Sequence, residues 1–468
     1  MKIQTKRITQ ALIAGGILLG GNLAYADDRE EIEKLRALVQ ELDQKIKVLD
    51  RKSELAAEEA VAKKKETPVV VAGDKGFGIK SADGNFEFKL RGLLQADSRT
   101  FFGDDSGAGV PGTSLDDEYL LRRVRPTFEG TVFGKYDFRF TPDFAPEAAN
   151  VQDAYINARF TPWFKVQAGK FKVPYSLERL QSGGDLRFVE RSYVANSLLP
   201  NRDIGVQLHG EVFKGKLNYA AGVFDGVSEG GSNATNRDNG AASKDKEFVA
   251  RLFAEPFKGE DSVLAGLGFG VAAGTSDYKN DGFLNPQFRS PGQLTFFTYN
   301  AAVVGDGKQT RIAPQFYYYY GPFGVIGEYA RVKHDVARGG NEDTLEHDGW
   351  QLAGTYVLTG EENSFKGITP KRPFDLDKGQ WGAWEVALRY SELNVDDAAF
   401  DDAAAARFAS ATSTTESAES WAAGVNWYLN KFVKLQTTFE QTKFDSAFAN
   451  VRDRDTERVL FSRFQVSF

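Results

Sequence analysis

The chain of 468 residues has no cysteine, one methionine and three histidines. Without cysteine it can form neither a disulfide nor a thiolate metal site, so its stability has to come from packing and strand pairing. His209, His334 and His347 are too few and too scattered to place a base beside a nucleophile. Phosphate-cradling loops are missing as well. GLGFGVAAG (266–274) lies in an alternating run rather than before a helix, and GDGKQT (305–310) lacks the spacing of a P-loop. The acidic pairs in VRDRDTE and DLDKG read as solvated loop charge before they read as calcium ligands. A catalytic function, a metal and a cofactor are therefore not expected. A strong charge excess is absent too: the net charge is -7, which disfavours nucleic acid as a partner.

Long apolar runs are also lacking. The longest, ALIAGGILLGG (11–21), falls short of the ~20 residues a membrane-crossing helix needs. It follows Lys2, Lys6 and Arg7 and precedes Ala24-Tyr25-Ala26, so residues 1–26 read as a signal peptide cleaved after Ala26. An exported chain without such helices can still span a membrane as a closed barrel, where lipid-facing and lumen-facing residues alternate.

Residues 27–62 carry Ile32, Leu35, Val39, Leu42, Ile46 and Leu49 at alternating spacings of three and four among charged residues. That is a heptad seam, predicting a periplasmic coiled-coil helix, with a charged spacer helix as the alternative. Residues 63–76, with their Lys run, Pro68 and Gly73, read as a linker.

From 77 to 468 the period becomes two. Phe86, Phe88, Leu90 and Leu94 oppose Glu87, Lys89, Arg91 and Gln95; Trp384, Val386 and Leu388 oppose Glu385 and Arg389; Val433, Leu435 and Phe439 oppose Lys434, Gln436 and Glu440. Alternation alone also fits a soluble sandwich. The joins discriminate: short ones (FGKY, TPWF, FKGK, GPFG, LNKF) alternate with long polar ones such as GDDSGAGVPGTSLDD and SEGGSNATNRDNGAASKDK. Counting strands between them gives about sixteen. The expected fold is all-β, a 16-stranded antiparallel transmembrane β-barrel in outer-membrane lipid. The ending RVLFSRFQVSF, closing on Phe468, looks like a recognition signal for the barrel assembly machinery.

The segment KFKVPYSLERLQSGGDLRFVERSYVANSLLPNRD differs from the other long joins because it keeps aliphatic and aromatic residues among its charges. It is expected to fold inward as a constriction loop carrying Lys172, Arg179, Arg187 and Arg191. In EYLLRRVRPTFEG, parity turns Arg123 and Arg125 to the lumen and leaves Arg122 out of register, either near the headgroups or on a bulge that turns it inward. An arginine facing mid-bilayer lipid costs about 2–4 kcal/mol, which argues for the lumen. Lys89, Arg91, Arg139, Arg389 and Arg463 fall on lumen faces by the same parity. Each could simply pair with a lumen carboxylate such as Glu87, Glu129, Glu385 or Glu440; an anion is the other possible partner.

WQLAGTYVLTGE, GAWEVALRYSELNVDD and GVNWYLNKFVKLQ, with AGKFKVPYSLE followed by FVERS, resemble the phosphate-selective porin O and P family from about Gly76 to Phe468. The resemblance implies a homotrimer of barrels, each with an arginine-lined path to a central site for phosphate or other small anions. Its adjacent site arginines look most like Arg122 and Arg123. Its inward-loop lysine has no clear counterpart, with Arg187 the nearest candidate. A porin for dicarboxylates, a general porin, and an envelope tether in which the coiled coil is the functional part are the alternatives.

Overall fold

Alternation from Glu87 onward builds sixteen antiparallel strands in a computed structural model that describes residues 27–73, 76–102, 116–145, 149–232, 246–281, 287–401, 407–451 and 453–468. The strands are β1 (Glu87–Phe101), β2 (Glu118–Val132), β3 (Tyr136–Asp143), β4 (Asn150–Thr161), β5 (Phe164–Lys172), β6 (Arg202–Val212), β7 (Leu217–Phe224) and β8 (Glu247–Ala254). They continue as β9 (Leu267–Asp281), β10 (Val304–Tyr320), β11 (Phe323–Arg338), β12 (Asn341–Val357), β13 (Ala383–Asn394), β14 (Thr415–Tyr428), β15 (Val433–Ser446) and β16 (Glu457–Ser467). Each pairs with the next, and β16 pairs with β1, setting Arg463 opposite Asp97 and Gln465 opposite Gln95. The ring is closed, so every strand finds a partner on both sides.

Burial follows the pleat. Along β12, Leu345, His347, Gln351, Ala353 and Val357 are buried inward while Trp350, Leu352 and Tyr356 are exposed outward. This apolar exterior has the composition of a lipid-facing wall. At the short-turn end aromatic residues gather: Trp384 stacks on Trp427 at 4.9 Å, and Phe468 meets Phe77 edge-on while its ring covers Gly92.

The joins alternate in length as the sequence implied, with one departure. At the long-loop end β11 and β12 meet in the two-residue turn 339–340, because these strands are themselves 16 and 17 residues long. At the short-turn end the one longer join that EENSFKGITPKRPFDLDKGQ marks in the sequence, 358–382, turns inward and buries Glu361, Asn363 and Ile368.

The helix runs over Asp27–Glu66, with Ile32, Leu35, Val39, Leu42, Ile46 and Leu49 all exposed. It extends into the expected linker, whose remainder is no coil either. Val69–Gly73 and Gly76–Lys80 form a hairpin that pairs through Phe77 with Leu90 of β1. A run of three valines favours pairing, and Gly73 and Gly76 adopt the positive φ the turn requires. The expected signal peptide, residues 1–26, and most of GDDSGAGVPGTSLDD lie outside the described residues.

Inside the ring the long-loop half is apolar. Phe288, Phe296, Phe297 and Tyr299 from the join 282–303, with Phe400 and Phe408 from 395–414, pack on Val332, Val336, Leu345 and Phe444. Tyr193, Val194, Leu198 and Leu199 of the join 173–201 enter the same cluster. The aliphatic residues that set this join apart in the sequence therefore act as its core.

Candidate functional site

The join 173–201 folds into the barrel and is held against one side of it. Tyr175 donates its hydroxyl to Glu247 at 2.6 Å, and Gln315 donates to the Tyr175 carbonyl at 2.7 Å. Glu328 on β11 accepts from the backbone N–H of Leu177, from that of Glu178 at 3.1 Å and from Ser176 Oγ at 3.3 Å, so a wall carboxylate caps the short helix Leu177–Leu180. Further round, Arg389 donates to the Glu190 carbonyl (2.9 Å), Asn426 to that of Arg187 (3.0 Å), and Lys434 to those of Gly184 and Leu186. Gln95 and Gln465 bind the carbonyls of Gly183 and Gly184, pinning the loop tip to the β16–β1 seam. These anchors come from β8, β10, β11, β13–β16 and β1, so the gap faces β2–β6. A cavity of about 970 Å³ occupies that side, its lining including Arg125, Arg139, Asp153, Lys172, Arg202 and the loop residue Gln181.

Arg122 owes its position to a break in register. Gln95 opposes Arg123 but Ala96 opposes Leu121, so Arg122 has no partner on β1 and sits on a β-bulge. Tyr119 and Leu121 are exposed on the outer face, whereas Arg122 and Arg123 both turn inward. Of the two positions left open for Arg122 by parity, the bulge is the one adopted.

The cations then sort into two groups. In the first, each is paired. Arg122 forks onto Glu190, Nε to Oε1 at 2.7 Å and Nη2 to Oε2 at 3.1 Å. Arg125 reaches Asp143 at 2.7 Å, and Arg202, the first residue of β6, reaches Asp153 at 3.0 Å. Lys89 pairs with Glu87, and Arg91 and Arg139 share Glu129, all towards the short-turn end.

Three expected anion ligands are structural ties. Arg463 holds Asp97 with two contacts of 2.7 and 2.6 Å. Arg389 binds Glu440 at 3.0 Å beneath the Phe188 ring. Arg187 binds Glu385 at 2.9 Å together with Asn363 and the Ser364 carbonyl of the inturned join 358–382. All three are buried where the inward loop meets the wall, and a guanidinium there without its carboxylate would be costly, so their charge is consumed by these ties.

In the second group no carboxylate lies within ion-pair distance among the described residues. Arg123 donates to Gln95 Oε1; Lys172 to the carbonyls of Leu180 (3.3 Å) and Gln181 (2.9 Å); Arg179 to the Ala195 carbonyl and Asn196; Arg191 to the carbonyls of Glu178 (3.3 Å) and Gln181 (3.2 Å). The Nε of Arg123 and of Arg179 is buried without a hydrogen-bond partner among the described residues. Arg191 repels the other three, and Arg202 repels Lys172, Arg179 and Arg191. Burial outweighs the attraction of Glu178 and, with repulsion from Arg202 and Arg125, pulls Arg191 down to about 10. For Glu190 burial pushes the other way, yet Arg122, then Arg123 and Arg463, hold its carboxylate well below the usual range. Positive charge outside any ion-pair contact therefore collects where the loop faces β2 and β5. A charge-lined constriction of this kind selects permeant ions by sign.

Lys172, at the end of β5, is held by carbonyls, whereas Arg187 is tied to Glu385. Sequence parity had no means of ranking them, because pairing with Glu385 is a contact across more than 190 positions.

The profile of the phosphate-selective porin O and P family matches residues 88–468. The chain belongs to this family. It is 24% identical over 424 residues to Porin O of Pseudomonas aeruginosa, covering 86% of this chain and 92% of that protein. Among solved structures, the outer membrane channel DcaP of Acinetobacter baumannii superposes with a TM-score of 0.52 at 13% identity, over 84% of this chain and 99% of that one. The protein is thus a β-barrel porin of the outer membrane, an anion-selective channel and not an enzyme. The short-turn end is the periplasmic end of the porin, and the joins at the other end are its extracellular loops.

Proposed function

We propose that this porin passes small oxyanions, with phosphate the preferred ion, through a constriction whose working cations are Arg122, Arg123, Arg125, Lys172, Arg179 and Arg191. The observation that carries the reading is the second group above: four cations held by carbonyls and an amide rather than by carboxylates. Carbonyl partners orient a guanidinium without neutralising it, so its field remains available to a passing anion. Lys89, Arg91 and Arg139 at the periplasmic mouth extend the positive path. Each charged hydrogen bond contributes roughly 1.5–3 kcal/mol, and a millimolar site needs only about 4 kcal/mol. Two or three contacts per position suffice, and a tighter site would hold its ion and stop flux.

A second reading has its own support. Arg122 already binds a carboxylate, that of Glu190, in fork geometry, so small dicarboxylates are candidate substrates of the same pore. Planar-bilayer recordings separate the readings. Reversal potential in a potassium chloride gradient, followed by titration with phosphate and then succinate, should give a chloride-selective pore blocked first by phosphate. Stronger block by succinate favours the dicarboxylate reading, and a pore without selectivity or block makes it a general porin.

The barrels are proposed to assemble as a trimer, with the exposed seam from Ile32 to Leu49 joining three helices. Cross-linking of membranes with and without residues 27–66 tests this. Loss of envelope integrity with unchanged conductance in that deletion would favour the tether. Phe468 is proposed as the contact for the barrel assembly machinery.

A further inference from the structure

We propose that Glu190 is a tethered competitor for the permeating anion, a carboxylate carried by the inward loop that occupies the Arg122 fork and sets how weakly the constriction holds an oxyanion. The inference deepens the anion-channel reading and rests on it.

Glu190 is anchored twice over without its side chain. Its carbonyl accepts from Arg389 at 2.9 Å, the N–H of Val189 reaches Thr438 Oγ1 at 3.4 Å, and Ser192 binds Glu178 through N–H (3.0 Å) and Oγ (2.8 Å). The backbone on both sides is thus fixed to the β13–β15 wall or within the loop itself. The carboxylate leaves that wall and reaches past the β16–β1 seam, where it takes both edges of Arg122 on β2 and comes within 3.6 Å of Arg99 on β1. It is 1% exposed and held by cations alone on that side.

A planar carboxylate on a guanidinium fork makes the contact that a phosphate or an organic acid would make. Because the loop carries it, it competes at an effective concentration on the order of millimolar or above. A free anion entering the constriction must share or displace it. The bulge supplies the complementary half: it turns an extra arginine inward, and Glu190 partly neutralises that arginine. Net attraction at the constriction is then a difference between Arg122 and Glu190 rather than the full strength of an open fork, which keeps the site weak enough to conduct.

The test is Glu190→Gln in the full-length channel in planar bilayers, with inorganic phosphate as the probe. The amide removes the charge and leaves the backbone anchors in place. The half-blocking phosphate concentration should fall at least about tenfold, equivalent to ~1.4 kcal/mol, and the chloride-to-potassium permeability ratio should rise. Glu346→Gln, which removes the same charge from the Arg331 pair on the outer face, should change neither. Adding Arg122→Gln to Glu190→Gln should abolish the gain. An unchanged or higher half-blocking concentration in Glu190→Gln overturns the proposal. If the wild-type channel is not blocked by phosphate at all, the phosphate reading fails while this one is still decided by the permeability ratio, which must rise in Glu190→Gln. Should that variant not assemble, Glu190→Asp, which withdraws the carboxylate by one methylene, must shift both quantities the same way by a smaller amount, and no shift overturns it.

Discussion

Arg122 and Arg123 are consecutive in the chain and both point into the barrel, which two consecutive residues of a regular strand cannot do. The bulge at Arg122 resolves the conflict by leaving that residue unpaired on β1. Removing it should therefore restore strict alternation rather than destroy it: Leu121 stays outward, Arg123 inward and Val124 outward. A deletion of Arg122 is expected to fold to a heat-modifiable barrel on gels, with its chloride-to-potassium permeability ratio lowered. Failure of this deletion to fold would mean that the bulge shapes the barrel as well as the pore.

The division of the cations into tied and untied groups gives opposite outcomes for two arginines of one loop. Arg191→Gln removes a charge held by backbone carbonyls rather than by an ion-paired carboxylate, so phosphate block should weaken by about tenfold or more, in line with roughly 1.5–3 kcal/mol for a charged hydrogen bond. Arg187→Gln leaves Glu385 buried without its guanidinium, and breaking such a pair costs about 3–5 kcal/mol. That variant should unfold at a lower denaturant concentration with phosphate block nearly unchanged. Unfolding curves and bilayer titrations on the same preparations check both.

Much of this was legible along the chain, for physical reasons that differ from one element to another. Strand number and sidedness could be read because a closed wall between lipid and water forces alternation, and Trp384 to Leu388 or Val433 to Phe439 display it residue by residue. The inward loop could be read because Tyr193, Leu198 and Leu199 have no place in a solvated loop. The turn at 339–340 escaped notice because its strands take over the length a loop would have had. Parity also told lumen from lipid correctly for Arg389, Arg463 and Lys89, but it says nothing of partners. Whether a lumen arginine is spent on a carboxylate depends on Glu440, Asp97 or Glu385 arriving from elsewhere in the ring. Arg122 could be flagged only as out of register, since a one-residue slip has no sequence mark of its own.

A second relationship holds the extracellular cap. Tyr299 places its hydroxyl 2.6 Å from His334 Nε2 and 2.5 Å from His347 Nε2. The Asp396 N–H donates to His347 Nδ1 at 3.1 Å, so a neutral His347 carries its hydrogen on Nε2 and donates to the tyrosine, which in turn donates to His334. Tyr299→Phe strands a donor on one ring and an acceptor on the other in a dry site, at about 1–3 kcal/mol each. The join 282–303 should then exchange its amide hydrogens faster and be cut sooner by protease, with the strands of the barrel unaffected.

Gly274 makes room for the root of the inward loop. It faces inward on β9 opposite Arg311, and a Cβ built on it would coincide with the hydroxyl of Tyr175. That hydroxyl is the group bound to Glu247, and the Tyr175 carbonyl is bound by Gln315. No rotation of one atom relieves the overlap, because the ring is enclosed and its backbone is tied. Gly274→Ala must therefore drive Tyr175 off Glu247, leaving that carboxylate to Arg311 and displacing the turn that Glu328 caps one residue further on. The loop would retreat from its seat on the wall while the strands keep their register, so single-channel conductance should change and phosphate block weaken in a barrel that still assembles. Gly354 on β12 is the control, since a Cβ there meets nothing within 4 Å and Gly354→Ala should conduct as the wild type does. If Gly274→Ala also behaves as wild type, the loop is not seated through Tyr175, and its anchors at Glu328 and along β13–β16 must suffice without it.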